Sequence, residues 1–505
     1  MSVTVAPATA ARAGTREWTG LAVLALPMLL LALDNSVLFL ALPHLAADLR
    51  PGPTQMLWIM DVYGFMMAGF LITMGTLGDR IGRRRLLLVG AAAFGIASVL
   101  AAYASSAGLL IAARVLLGVA GATLGPSALA LIATMFQDAR QRAMAIGIFT
   151  ACFMGGAALG PVIGGMMLQT FWWGSVFLLG VPVMVLLLVT APLLLPESRS
   201  GTSGRLDLAS VVLSLGTILP FVFGLKEVAK DPARLLPYLA IAAGLAVGVV
   251  FVRRQRVLAD PFLDLRLFRN RSFTAALGIL LFAMVIQSGV YLFVSQYLQL
   301  VKGLSPLESG LWLAIPALGL VGTSLLAPIA ARRIRPGAVI AAGLVLAAVG
   351  FLLMASADGL GLLMTGLTIG FLGTAPIGAL GFGLIVGSAP QERAGSAAGM
   401  AETFGEFGIA LGVAVLGSLG TAVYRGALTV PEGTPPGAAD SIGSAVATAG
   451  SLPADLAARV LDEAREAFMS SLTVASLTVT VMALGLAVLA ATLLRHLRPI
   501  GTDED

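Results

Sequence analysis

GTLGDRIGRRR, residues 75–85, is a short polar turn set between two long apolar runs. Arg80, Arg83, Arg84 and Arg85 crowd one end of it. Such a cluster cannot enter a bilayer core, so the chain turns back here on one membrane face. Gly78 and Gly82 permit a tight turn, and Asp79 can cap a neighbouring helix. Arg80, Arg83 and Arg84 can pair with acids or with helix C-termini. Charge placed only to set orientation would not require this spacing of Gly and Asp. Gly75, Asp79, Arg80, Gly82 and Arg83 therefore read as a clasp that holds helical bundles together.

Outward from that turn the composition has the same meaning. Hydrophobic residues make up 58% of the 505-residue chain and charged residues 11%, where a soluble domain carries about 25% charged residues. So few charges cannot cover the surface of a soluble protein of this length, and the apolar surplus must face lipid. A crossing helix needs about 20 apolar residues. Fourteen runs qualify, at 18–43, 55–77, 86–105, 107–134, 142–168, 173–195, 208–225, 235–252, 273–300, 307–330, 337–356, 360–388, 394–423 and 469–494. The fold class is an all-α integral membrane protein with 14 transmembrane helices.

Orientation follows from the basic residues. Of 31 Lys and Arg, 22 fall in the N-terminal tail and the loops on its side of the membrane. Eight fall in the opposite loops, and Arg114 lies inside a span. This bias predicts cytoplasmic N- and C-termini. The net charge of +5 is thus a topology signal, and no nucleic-acid partner is expected. Cys152 is the only cysteine, and His44 and His496 lie far apart, so neither a disulfide nor a metal site is expected. The first apolar run is too long for a signal-peptide core. The loop 424–468 contains PEGTPPGAAD and then an amphipathic stretch around 453–467. It is expected to lie as a solvated cap on the outer surface, with a gate or partner site as the alternative.

Two strings inside spans carry further meaning. LLIAARVLLGVAGA places Arg114 among apolar residues, where a charge costs about 2.5–3.5 kcal/mol on insertion scales and so requires a partner. GGAALGPVIGG, residues 155–165, frees backbone carbonyls at Gly160-Pro161 and offers a smooth glycine face for close helix packing.

Together these strings resemble the major facilitator superfamily. GDRIGRRR is similar to its loop signature between the second and third helices, ARVLLG to its fourth-helix arginine motif, and GPVIGG to the fifth-helix motif of proton-coupled exporters. ALDNSVLFLALP (32–43), DPFLDLRLFRNRSF (260–273) and SQYLQLVKGLSPLESGLWLAIPA (295–317) resemble its fourteen-helix drug:proton antiporter branch. Ser36, Leu38 and Gly180 depart from that pattern. The resemblance covers about residues 18–495. It implies a major facilitator fold: two six-helix bundles plus two inserted helices. The expected division is a tail at 1–17, a first bundle at 18–200, inserted helices at 201–258, a second bundle at 259–495 and a tail at 496–505. Basic AARRIRPG after the tenth span echoes the first clasp, as an internal duplication predicts.

Four acids lie well inside spans: Asp34, Asp61, Glu402 and Glu406. Asp34 and Asp61 are expected at a shared depth. Glu402 and Glu406, four apart, share one helix face. Lipid cannot take that face, whereas a central cavity can. An acid out of water and beside another acid holds its proton more tightly, so a cation and protons compete for these groups. Asp34 is the expected partner of Arg114, and Trp58 the candidate for stacking on aromatic cations. Tyr63, Phe65, Phe282, Gln287, Tyr291, Gln296, Phe404 and Phe407 are candidates for cavity lining.

The leading functional reading is a proton-coupled multidrug efflux antiporter for lipophilic cations such as quaternary ammonium compounds and dyes. It would act as a monomer in a bacterial inner membrane. The alternative is a dedicated exporter of one metabolite or antibiotic. Abundant Ala, Gly and Arg with only three Lys point to a GC-rich bacterium. No enzyme activity and no cofactor are expected, and the lack of a GxxxxGK[ST] string argues against ATP as the drive.

Overall fold

The structure is a computed structural model that describes residues 13–198, 207–230, 234–258, 261, 265–388, 394–429, 434–435, 439–497 and 499. The tails beyond these, and Arg199, Arg205, Arg393 and Arg498 of the charge pattern, lie outside the described residues.

Apolar runs with polar punctuation give a chain of antiparallel helices. The first bundle comprises α1 (Thr15–Leu49), α2 (Pro53–Ile81), α3 (Arg83–Ala102), α4 (Ala107–Met135), α5 (Ala139–Thr170) and the pair α6 (Ser175–Leu178) and α7 (Gly180–Leu194). Next come α8 (Leu208–Lys230) and α9 (Leu235–Val257). The second bundle comprises α10 (Arg271–Gln296), α11 (Pro306–Ala330), α12 (Pro336–Ala355), α13 (Leu360–Gly387), α14 (Ala394–Ala427) and α16 (Ala454–Leu493), with the short α15 (Ile442–Ala449) before α16. Helix starts fall where side chains can satisfy free N–H groups. Ser106 accepts from Leu109 N, Asp138 from Gln141 N, and Asn270 from Ser272 N. Ser305 and Glu308 form a capping box ahead of α11.

Among the described residues, twelve helical segments are long and apolar enough to cross a membrane, and α2, bent by 51° between Leu71 and Thr73, makes thirteen. The 32-residue α5 is also longer than a bilayer core requires. The fourteen expected spans fit this roughly. Alternation gives the molecule two faces: one carries the turn at Arg50, the other the turn at Arg85.

Large apolar side chains point outward all round. Val89, Ile96, Leu326 and Val481 are between 62% and 70% exposed, which suits lipid and not water. Between helices, small residues replace the hydrophobic drive that lipid removes. Gly156, Gly160 and Gly164 form a stripe on α5 against α1: a Cβ on Gly160 would lie 1.8 Å from Ser36 Oγ, and one on Gly156 2.2 Å from Leu29 O. In the second bundle α12 and α13 touch backbone to backbone, and a Cβ on Gly350 would lie 2.4 Å from Gly370 N.

α8 and α9 pack on each other, joined by Arg254–Asp207 at 2.9 Å and Gln255–Ser210 at 2.6 Å. α8 also lies against both bundles through α2 and α14. Val222 of α8 packs with Phe65, Ala410 and Ala414, and Thr54 Oγ1 at the start of α2 donates to Glu227 Oε1 at 2.6 Å.

One expectation changes. The amphipathic stretch 453–467 is not a separate cap lying on the membrane, because α16 runs unbroken from Ala454 to Leu493. No Gly or Pro interrupts 454–484. Val460, Ala464 and Phe468 continue the buried face that Leu472, Ala475 and Val479 carry onward. The helix therefore has no reason to break, and α15 is what covers this face.

Candidate functional site

The clasp at residues 75–85 is held by local charge. Arg83 Nη2 lies 2.6 Å from Asp79 Oδ1. Arg84 Nη1 donates to Leu195 O at 2.9 Å and Pro192 O at 3.3 Å, the carbonyls left free at the end of α7. Arg84 N donates to Glu197 Oε1 at 3.2 Å, and Arg85 Nε lies 3.9 Å from Glu197 Oε2. Gly82 has φ +111°, and a Cβ there would lie 2.4 Å from Glu197 Oε1. Gly82 is therefore needed twice, for its backbone angle and for the carboxylate above it. These bonds of Arg83, Arg84 and Arg85 run within the first bundle and tie α2 and α3 to the end of α7. Sequence reasoning missed Glu197. Its signal was available: an acid just beyond the sixth span, in a loop on the same face as the arginines.

Deeper in the first bundle, Arg114 joins three helices. From α4 its Nη1 donates to Asp34 Oδ2 of α1 at 3.0 Å. Its Nε and Nη2 donate to Ile59 O at 3.0 Å and Met60 O at 3.4 Å on α2. The guanidinium also stands 4.7 Å from the ring centroid of Tyr63. Arg114 is 1% exposed, so its five donors must be spent inside the protein. Asp61 follows directly on those carbonyls and is likewise 1% exposed. It lies eight residues into α2, roughly 12 Å from the Arg50 end.

Glu402 and Glu406 approach the seam between bundles from α14. A Cβ on Gly125 of α4 would lie 2.8 Å from Glu402 Oε1, so glycine leaves room for that carboxylate against the first bundle. A Cβ on Gly64 of α2 would lie 3.1 Å from Ala410 Cβ and 3.6 Å from Glu406 O. Glu406 is buried, and its Oε2 has no hydrogen-bond partner among the described residues. Tyr63 stands under the Arg114 guanidinium, and its hydroxyl has no hydrogen-bond partner among the described residues. Tyr63 entered the sequence reading only as cavity lining. Its place against Arg114 depends on helix rotation, which sequence does not give.

Trp58 stands in an aromatic cluster at the start of α2. It meets Phe65 edge-on at 6.5 Å, and Phe65 meets Phe407 at 6.1 Å, in the cluster where α8 fills the gap between α2 and α14. Gly160 and Pro161 occupy both sides of α5. Gly160 faces α1, while Pro161 O would lie 2.0 Å from a Cβ on Gly310 of α11, and a Cβ on Gly165 would lie 2.5 Å from Pro306 O. The bundles thus meet through bare backbone near the Arg50 face. Chemically, the seam brings acids from both bundles together, with Asp34 held by Arg114.

Comparison with known proteins agrees with this architecture. The family profile described as Major Facilitator Superfamily matches residues 24–413. The multidrug efflux pump LfrA of Mycolicibacterium smegmatis is 45% identical over 91% of this chain and 93% of its own. The methyl viologen resistance protein SmvA of Salmonella typhimurium is 35% identical over 94% of this chain and 97% of its own. Among solved structures, a bacterial homolog of the human lysosomal transporter Spinster, inward-facing and unoccupied, superposes with a TM-score of 0.68. It covers 95% of this chain and 98% of that one at 15% identity.

Proposed function

Because this chain belongs to the Major Facilitator Superfamily, and is therefore a multi-pass membrane transporter and not an enzyme, we propose that it is a proton-coupled efflux antiporter for lipophilic cations. The supporting observation is Glu406. It is buried at the seam between bundles, one helical turn from Glu402, and its Oε2 has no hydrogen-bond partner among the described residues. Asp34 differs, since Arg114 answers it at 3.0 Å. A buried carboxylate without a cation is costly, so it takes a proton or a cationic guest. Proton and guest exclude each other, and that exclusion is the minimal physics of exchange.

The relatives named for multidrug efflux and for resistance to methyl viologen favour a broad cationic substrate range over a single dedicated cargo. Asp61, next to the carbonyls held by Arg114, is the second competing acid. Asp34 pairs with Arg114 and releases it when protonated, which shifts α1 against α4. The two bundles rock about the glycine seam, with α8 and α9 as the inserted pair. The face carrying Arg85 is cytoplasmic and the face carrying Arg50 is external, as the basic-residue bias requires. Proton entry supplies about 2.3 kcal/mol per 100 mV of membrane potential and about 1.4 kcal/mol per pH unit. One pH unit suffices for a concentration ratio of about tenfold. Exchange of one monovalent cation for one proton is electroneutral, so the membrane potential is used only when two or more protons enter per cation.

Uptake of ethidium and a quaternary ammonium dye into inverted vesicles with an imposed pH gradient tests the reading. Uptake that collapses with a protonophore supports it. Uptake indifferent to the protonophore, or unchanged in both Asp61→Asn and Glu406→Gln, rejects it.

A further inference from the structure

A small cavity lies inside the first bundle, apart from the seam. It has a volume of about 10 Å³, the space of about one water molecule. α1, α3 and the α6–α7 pair, broken at Leu179, enclose it through Leu30, Phe94, Val176, Phe177 and Gly180 among others. α3, α6 and α7 pack within the first bundle, so this space is not part of the seam. Asp34 is the one polar side chain among the described residues that line it.

Size and chemistry both suit this space to a single water. The Asp34 side chain is 10% exposed, and Arg114 takes its Oδ2, which leaves Oδ1 able to accept from another donor. Gly180 keeps the wall open. A Cβ there would lie 3.1 Å from Ser98 Oγ, 3.2 Å from the Phe94 ring and 3.4 Å from Leu30. Ser98 therefore stands beside the cavity, one turn of α3 beyond Phe94, with a hydroxyl that donates and accepts. Asp34 and Ser98 give an enclosed water the two polar partners that it needs at the least. α6 enters from the Arg50 face at Ser175, so the cavity lies toward the external side, behind the buried Val176 and Phe177.

We propose that this cavity is a water site, and that its water carries protons to and from Asp34 by a route inside the first bundle, separate from the seam. The inference rests on the antiporter reading for its purpose. A proton handed on by external water adds to the oxygen of the held water, which passes one of its own protons to Asp34 Oδ1. One O–H bond breaks as another forms, and the held water is left neutral. The return runs in reverse. Asp34 is thereby loaded, and Arg114 loosened, without use of the space that the cargo fills. Gly180 and Ser98 act through the water as positioning residues.

The test uses the full chain in lipid vesicles with Asp34 protonated. Exchange of that proton for deuterium is followed through the carboxyl band in the infrared, assigned by its loss in Asp34→Asn. Gly180→Ala puts a methyl group in the water's place and should slow exchange about tenfold, the worth of one hydrogen bond. Gly180→Ser fills the same space with a hydroxyl that hands protons on, and its rate should stay close to that of the unmodified chain. Ser98→Ala removes a partner of the water without adding bulk and should slow exchange as well, so it carries the test if Gly180→Ala does not fold. Saturating ethidium should leave the rate unchanged. Equal slowing in Gly180→Ala and Gly180→Ser, an unmodified rate in Gly180→Ala and Ser98→Ala, or slowing by ethidium would overturn the water route. The expected exchange pattern together with dye uptake that ignores a protonophore would keep the water site and remove the antiporter reading.

Discussion

Arg114 Nη1 and Asp34 Oδ2 lie 3.0 Å apart, and the same guanidinium holds the carbonyls of Ile59 and Met60. One side chain on α4 therefore fixes α1 and α2 at the depth where Asp61 begins its turn. A point charge cannot satisfy three acceptors held in a fixed fork.

Arg114→Ala removes the cation that holds Asp34 and leaves that carboxylate without it, a loss of about 3–5 kcal/mol when one member of a buried pair is deleted. Asp34→Asn keeps a hydrogen-bond acceptor and should fold while losing transport. The double variant Asp34→Asn with Arg114→Ala should regain stability over Arg114→Ala alone without regaining efflux. Thermal unfolding in detergent and dye efflux in cells separate the two effects. Stability losses that simply add would mean the pair is not coupled.

The clasp gives a sharper local prediction. Gly82 at φ +111° lies under Glu197, so Gly82→Ala combines backbone strain of about 1–3 kcal/mol with a clash against the carboxylate. Gly82→Ala should lower the unfolding temperature more than Gly75→Ala, whose nearest foreign atom, Pro126 Cβ, would be 4.0 Å from an added Cβ. Shortening the acid by Glu197→Asp should recover part of the Gly82→Ala loss. Equal effects of the two glycine variants would contradict the role assigned to Gly82.

At the seam, Gly310 faces Pro161 O and Gly165 faces Pro306 O, each closer than any real Cβ tolerates. Overpacking there costs about 1–3 kcal/mol, and it is felt only while α5 and α11 touch. Gly310→Ala and Gly165→Ala should shift the population toward the state in which the external side is open. Reporter cysteines on α5 and α11 at that face, read by distance measurement between spin labels, should show a wider separation in the variants. Unchanged distances with reduced stability would make these glycines plain packing residues.

How much of this was legible beforehand follows from the physics of each feature. Continuous apolar runs are local, so most spans were readable to within a few residues, although α1 runs on to Leu49 and α16 begins already at Ala454. Arg114 needed a partner on cost alone, and Asp34 was the acid at hand. Glu197 was harder, because its meeting with Arg84 depends on where α7 ends. The rotation of α2 that sets Tyr63 against Arg114, and of α14 that turns Glu402 toward Gly125, was not legible at all. In lipid both faces of a helix are apolar, so hydrophobicity does not say which face packs. The unbroken α16 was misjudged for a related reason: its polar first turns look like a surface helix until the buried stripe is followed into the span.

Competition between protons and cation at Glu406 is the centre of the mechanism, and proton release on binding measures it most directly. Purified protein in weakly buffered detergent near neutral pH is titrated with tetraphenylphosphonium while a pH dye reports the solution. Exchange predicts that each bound cation expels protons, and that Glu406→Gln diminishes the release in proportion to the acid removed. Cation binding with no proton release by the unmodified chain would contradict it.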